Sequence, residues 1–257
     1  DGVGQGDQAE TDGQGAAARF VYPKGIAVDG AGVVYVIDNG TFIRKISPSG
    51  QVSTLGGAGP FNSFTQASDI TVDAAGYLYV ADGCAIRKIT PAGVVTTLAG
   101  TVNTSCADAS DGTGAAARFS RLKHITATGA GELYVVDGFT FRTITPAGVV
   151  KTLMLEGRDD DYVGVPSGTF VGPSGVTVDG AGALYYVADS GVLRKVSSAG
   201  TVTTLAGTPV DTVAIELAEK NARYFRISGG LAVDVAGNTY VGEVSGFDYG
   251  AKNLLKR

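Results

Sequence analysis

A single histidine, two cysteines, one methionine and no tryptophan stand among 257 residues. With one histidine, a multi-histidine zinc centre is excluded, because zinc draws three or four ligands from the protein. The cysteines, Cys84 and Cys106, form no Cys-x-x-Cys pair, which removes thioredoxin-like and c-type haem readings. Basic residues are also few: 20 Lys plus Arg against 25 Asp plus Glu leave a net charge of −5. A nucleic-acid partner needs the opposite balance, since its affinity comes from neutralised phosphates and released counterions. No apolar run reaches about 18 residues, so nothing reads as a membrane-spanning helix. Hydrophobic residues at 44% with charged residues at 18% are the reverse of a disordered composition. The chain opens on Asp1 and its methionine is Met154, which reads as a processed form or an excised domain.

What the chain has in excess is glycine: 39 residues, about twice ordinary usage. Internal similarity explains it. Segments beginning at Gly25, Asp69, His124, Gly175 and Gly230 are copies of one unit, with a reference residue at Asp29, Asp73, Thr128, Asp179 and Asp234. Six residues later each copy has a tyrosine (Tyr35, Tyr79, Tyr134, Tyr185, Tyr240). Nine residues earlier each has a phenylalanine (Phe20, Phe64, Phe119, Phe170, Phe225). Periods of this length belong to propeller blades or solenoid coils. Inside a copy, short runs such as GIAVD, VVYVID, TFIRKI and VSTLGG are β-branched and aromatic, and glycine-bearing turns separate them. Four short strands per repeat, without helical periodicity, specify an all-β propeller of four-stranded antiparallel blades in one domain spanning 1–257. Five copies favour five blades; six would need a sixth copy. The fifth stops at Leu255-Lys256-Arg257, so the last blade lacks its outer strand, and the N-terminus reads as a loop.

The stretches DGQGAAARF (Asp12–Phe20) and DGTGAAARF (Asp111–Phe119), each running on into a blade like that of Val72–Ile89, resemble the NHL-repeat family of propellers. The resemblance implies a propeller, commonly six-bladed, used most often for recognition and sometimes for catalysis at the channel mouth. The alanines in these stretches favour a helical turn, after which Phe20 or Phe119 can plug the gap between blades.

The longest loops (Thr101–Arg121, Gly157–Val171 and Thr208–Ile227) fall on the face that surrounds the start of the inner strands, the expected ligand side. At the entry to each inner strand glycine is the rule, but Asp69 and His124 replace it in neighbouring blades. A carboxylate beside an imidazole can orient it as a general base, or the two can form a rim ion pair that fills space. Lys24, Ser68 and Lys123 adjoin them as candidate binding residues. Phe247 and Tyr249, in an enlarged hairpin of blade five, offer aromatic surface to a sugar or protein. Asp159, Asp160 and Asp161 offer carboxylates to calcium, but their spacing is not that of an EF-hand and also suits a solvated acidic loop. No other cofactor is indicated. Asp38, Asp82, Asp137, Asp189 and Glu243 recur at the end of the second strand, which suggests turn capping. Tyr185-Tyr186 adds one residue to that strand in blade four, so a β-bulge is expected there.

Cys84 lies in a hairpin of blade two and Cys106 in the loop leaving the same blade, on one face. A bond between them would close a ring restricting the unfolded chain by roughly 3 kcal/mol and would place the protein in an oxidising compartment: secreted, periplasmic or cell-surface. The first functional reading is an exported scaffold binding a protein, glycan or assembly partner through the loop-rich face. An alternative is a hydrolase or lyase using His124 and Asp69. A second alternative is a subunit that self-assembles through the incomplete blade, whose open edge invites another strand.

Overall fold

The structure is a computed structural model. It describes residues 10–56, 64–106, 108–138, 140–153, 175–188, 192–197, 201–206, 227–234, 238–243 and 254–256. Blade one contains β1 (Gly13–Gln14), β2 (Pro23–Val28), β3 (Val34–Asp38), β4 (Phe42–Ile46) and β5 (Gln51–Gly56). Blade two contains β6 (Ala67–Val72), β7 (Leu78–Asp82), β8 (Ala85–Ile89) and β9 (Val95–Gly100). Blade three follows with β10 (Gly112–Thr113), β11 (Leu122–Ala127), β12 (Leu133–Asp137), β13 (Thr140–Ile144) and β14 (Val149–Leu153). Blade four is β15 (Gly175–Val178), β16 (Leu184–Ala188), β17 (Val192–Val196) and β18 (Val202–Ala206), and blade five β19 (Ile227–Val233), β20 (Thr239–Glu243) and β21 (Leu254–Lys256). Within each sheet the successive long strands are antiparallel neighbours, and the inner strands β2, β6, β11, β15 and β19 pack side by side in that order. The chain is an all-β propeller. Among the described residues no helix is long and apolar enough to cross a membrane.

The second strand of blades one to four is almost wholly apolar because both of its faces are buried. Side chains alternate across a strand, so Tyr35 and Ile37 of β3 meet blade two, where Phe64, Ile70, Leu78 and Val80 complete the cluster. Tyr79 and Ala81 point the other way, into a cluster with Phe119, Leu122, Ile125, Leu133 and Val135 of blade three. Blade four joins blade three similarly, with the Phe141 and Tyr186 rings edge to face at 4.8 Å. The leading face of blade one is different. Ile26 is 63% exposed there, whereas its counterparts Ile70 and Ile125 are 2% and 4% exposed.

The reference aspartate and the tyrosine six residues on form one device. Asp29 accepts from the N–H groups of Ala31 and Val33 and from the Tyr35 hydroxyl at 3.1 Å. Asp73 does the same for Ala75, Tyr77 and Tyr79, and Asp179 for Ala181, Ala183 and Tyr185. The carboxylate closes the turn between the first two strands and ties it to the second. In blade three Thr128 substitutes in part, accepting from the Glu132 N–H.

Three expectations are corrected. The N-terminal segment is not merely a loop: β1 adds to β5 as a fifth strand, and β10 adds likewise to β14. Asp38, Asp82 and Asp137 do not cap the turn that follows them. Each reaches across to the segment entering its own inner strand, Asp38 accepting from the N–H groups of Val21 and Tyr22, Asp82 from those of Thr65 and Gln66, and Asp137 from those of Ser120 and Arg121. Nor does β16 bulge at Tyr185-Tyr186, for it pairs in unbroken register with β15 and β17. The alanine-rich turns do form single 3-10 turns, Gly15–Ala17 and Gly114–Ala116.

Candidate functional site

The adjacent inner strands β2, β6 and β11 lie side by side, and their third residues meet. Asp69 of β6 and His124 of β11 stand side by side, with His124 Nδ1 3.5 Å from Asp69 Oδ2 and each side chain roughly a quarter exposed. Asp69 is oriented by backbone: Oδ1 accepts from the Ile70 N–H at 2.9 Å and Oδ2 from the Ile125 N–H at 3.1 Å. One carboxylate thus joins two adjacent inner strands and keeps its second oxygen beside the imidazole. On the other side of Asp69 lies Gly25, where a side chain would meet the Asp69 Cα and Oδ1 at 2.8 Å. The glycine rule at this position follows from such close approach of adjacent inner strands. Asp69 and His124 depart from it as one contiguous pair.

The other rim residues separate. Lys24 is exposed and Lys123 half-buried. Ser68 is committed to structure, its hydroxyl 3.3 Å from the carbonyls of both Ala81 and Leu122, so that it bridges blades two and three. Phe247, Tyr249, Asp159, Asp160, Asp161, Asp189 and the loops 157–171 and 208–226 lie outside the described residues.

Cys84 and Cys106 form a disulfide. It joins the β7–β8 hairpin to the loop that leaves blade two, with a sequence separation of 22. Backbone hydrogen bonds reinforce the contact: the Cys84 N–H donates to Asn103 and the Thr101 N–H to Cys84. The hairpin sits at the end of blade two where Ala67 pairs with Asp82, the same end as Asp69. A pinned loop and the aspartate–histidine pair therefore share one face.

Sequence reasoning missed the arginine in the middle of the third strand of blades one to four, Arg44, Arg87, Arg142 and Arg194. Arg44 and Arg142 are wholly buried, each 3.1 Å from the carboxylate ending the second strand, Asp38 and Asp137. Each reaches a second carboxylate at 2.9 Å, Asp12 and Asp111, from the segment preceding the blade. Their guanidinium groups also lie over Phe20 and Phe119, 5.0 and 5.2 Å from the ring centroids. The available signal was a lone arginine amid apolar residues in FIRKI, AIRKI, TFRTI and VLRKV. A buried cation requires an anionic partner, and in blades one to three the carboxylate ending the second strand is one.

The family described as Teneurin NHL domain matches residues 4–68, which include the first Asp-Gly-x-Gly segment, its alanine turn and the whole of blade one. The first repeat is thus similar to an NHL repeat. Over 63 residues the chain is 40% identical to mouse teneurin-3, and over 61 residues 44% identical to zebrafish teneurin-3. These alignments take in 24% of this chain and 2% of each relative. Among solved structures, a gluconolactonase of Xanthomonas campestris superposes with a TM-score of 0.56 at 14% identity, over 88% of this chain and 71% of that one. A catalytically inactive virginiamycin B lyase from Staphylococcus aureus, solved with quinupristin, gives 0.51 at 14% identity, over 90% and 83%. At such identities the likeness is one of fold, and folds of this kind carry unrelated activities.

Proposed function

We propose that this NHL-repeat propeller is an exported recognition scaffold that binds a protein or glycan through its loop-rich face. The observation that carries the reading is the Cys84–Cys106 disulfide, which fixes an inter-blade loop at the mouth of the inner strands. Such a bond persists in oxidising compartments, and a loop immobilised beforehand loses less entropy when a partner binds. The short match to the teneurin NHL domain supports the same assignment. The test compares the disulfide-bonded protein with a Cys84→Ser/Cys106→Ser variant on glycan arrays and on intact cells. Binding that falls about tenfold or more once the loop is freed is the expected result. Equal binding by the two proteins would overturn the assignment of the loop to the contact surface.

One observation favours a second reading, a hydrolase at the channel mouth. His124 is held beside an oriented carboxylate, an arrangement suited to a general base, a role typically worth about 10²–10⁴-fold in rate. Acid release from gluconolactone and related lactones tests it directly. On this reading turnover is measurable and His124→Gln removes it by about that factor, while the melting transition is unchanged. Lactone hydrolysis no faster than buffer removes the second reading and leaves the first intact.

A further inference from the structure

Two blades carry an extra acidic segment on their outer edge, and the two attachments match residue for residue. In blade one, Gly13 and Gln14 pair with Val52 and Gln51, and the Gly15 N–H donates to the Gly50 carbonyl at 2.9 Å. Asp12 meets Arg44 at 2.9 Å and accepts from the Thr54 N–H at 3.0 Å and its hydroxyl at 2.9 Å. In blade three, Gly112 and Thr113 pair with Val150 and Val149, and the Gly114 N–H donates to Gly148 at 2.9 Å. Asp111 meets Arg142 at 2.9 Å and accepts from the N–H and hydroxyl of Thr152, both at 2.8 Å. Desolvation works to raise the pKa of these two carboxyls. The bonds from threonine and arginine outweigh it and hold both below the ordinary aspartate range.

Among the described residues, blade two presents the same receiving groups without the segment. Arg87 pairs across its sheet with Thr97 as Arg44 does with Thr54 and Arg142 with Thr152. Strand β9 is the outermost strand of a four-stranded sheet. Among the described residues no carboxylate meets the exposed Thr97, and Arg87 meets one carboxylate, Asp82 at 3.4 Å, besides lying over the Phe64 ring at 5.8 Å. The Arg87 side chain is nevertheless only 8% exposed, a nearly buried cation with one carboxylate where its counterparts have two. Chain length explains the difference. The aspartate stands eight residues before Phe20 and Phe119, whereas eight residues before Phe64 is Gly56, still inside β5. The connection from blade one therefore places no aspartate at the equivalent position.

We propose that the outer edge of blade two is a docking site for an extended acidic segment of a separate polypeptide, of Asp-Gly-x-Gly type. It adds beside β9 as a fifth strand and sets its carboxylate on Arg87 and Thr97. Strand addition supplies main-chain hydrogen bonds, and the charge-assisted contacts to Arg87 select the acidic residue. The site lies on the outer rim, away from the loop-rich face, so it stands or falls independently of the scaffold reading.

The experiment titrates a labelled Thr-Asp-Gly-Gln-Gly-Ala-Ala-Ala peptide against the full chain by fluorescence anisotropy, with the Asp→Asn peptide in parallel. Amide hydrogen exchange then maps the contact. Expected are saturable binding, a loss of about tenfold or more with the Asn peptide, and slowed exchange at Val95 and Thr97. Thr97→Val, at an exposed position, should weaken binding severalfold while leaving the fold intact. Absence of saturable binding, equal affinity for the two peptides, or slowed exchange at Thr54 or Thr152 in place of Thr97 would overturn the proposal.

Discussion

Replacing Asp137 by alanine is expected to lower the stability of the chain by about 3–5 kcal/mol, the range for removing one partner of a buried ion pair. Asp137 is 1% exposed. Its Oδ1 accepts from the Ser120 N–H at 2.8 Å, the Ser120 hydroxyl at 3.0 Å and the Arg121 N–H at 2.7 Å. Its Oδ2 holds Arg142 at 3.1 Å. Truncation leaves two backbone donors without an acceptor and strips a wholly buried guanidinium of one of its two carboxylates. Asp111 remains on the other side of Arg142 but is half exposed, so it compensates poorly. Asp137→Asn keeps an acceptor for the backbone donors and loses the charge, and its effect should be smaller. Urea titration of the three proteins checks the order. A loss of under about 1 kcal/mol for Asp137→Ala would show that this pair is not what anchors the entry to β11.

Phe119→Ala carries the second large effect, about 3–5 kcal/mol for a fully buried phenylalanine. The ring is 1% exposed, packs among Tyr79, Ile86, Ala99 and Leu122, and lies under the Arg142 guanidinium. Its removal opens a cavity between two blades and at once strips packing from the buried cation. Phe20 occupies the same column in blade one, where its ring is half-buried on the uncovered leading face. Phe20→Ala should therefore cost about 1–2 kcal/mol, in proportion to the smaller area it takes from water. Denaturation of the two variants side by side measures the contrast. Equal losses would contradict the different roles given to the two rings.

Much of this was legible from residue columns. The tyrosine six residues after the reference aspartate is there because a fixed turn and a fixed strand length bring its hydroxyl onto that carboxylate. Cys84 and Cys106 were assigned to one face from hairpin order alone, and they are bonded. The roles of Asp38, Asp82 and Asp137 were not legible. Local turn chemistry suggested caps, but their partners lie 16 and 17 residues earlier in the chain, across the blade. The short strands β1 and β10 were missed because two residues carry no periodicity.

By itself the sequence determined the repeat, the four-stranded unit, the alternation that buries both faces of each second strand, and the reach of the disulfide. These are written within each copy, in its turn lengths and side-chain alternation. Only the tertiary structure decided which carboxylates neutralise the buried arginines, that Asp69 bridges two inner strands beside His124, and that among the described residues blade two's outer edge carries no segment like those of blades one and three. Those facts depend on what lies across a blade or between blades, and such proximity is created by packing.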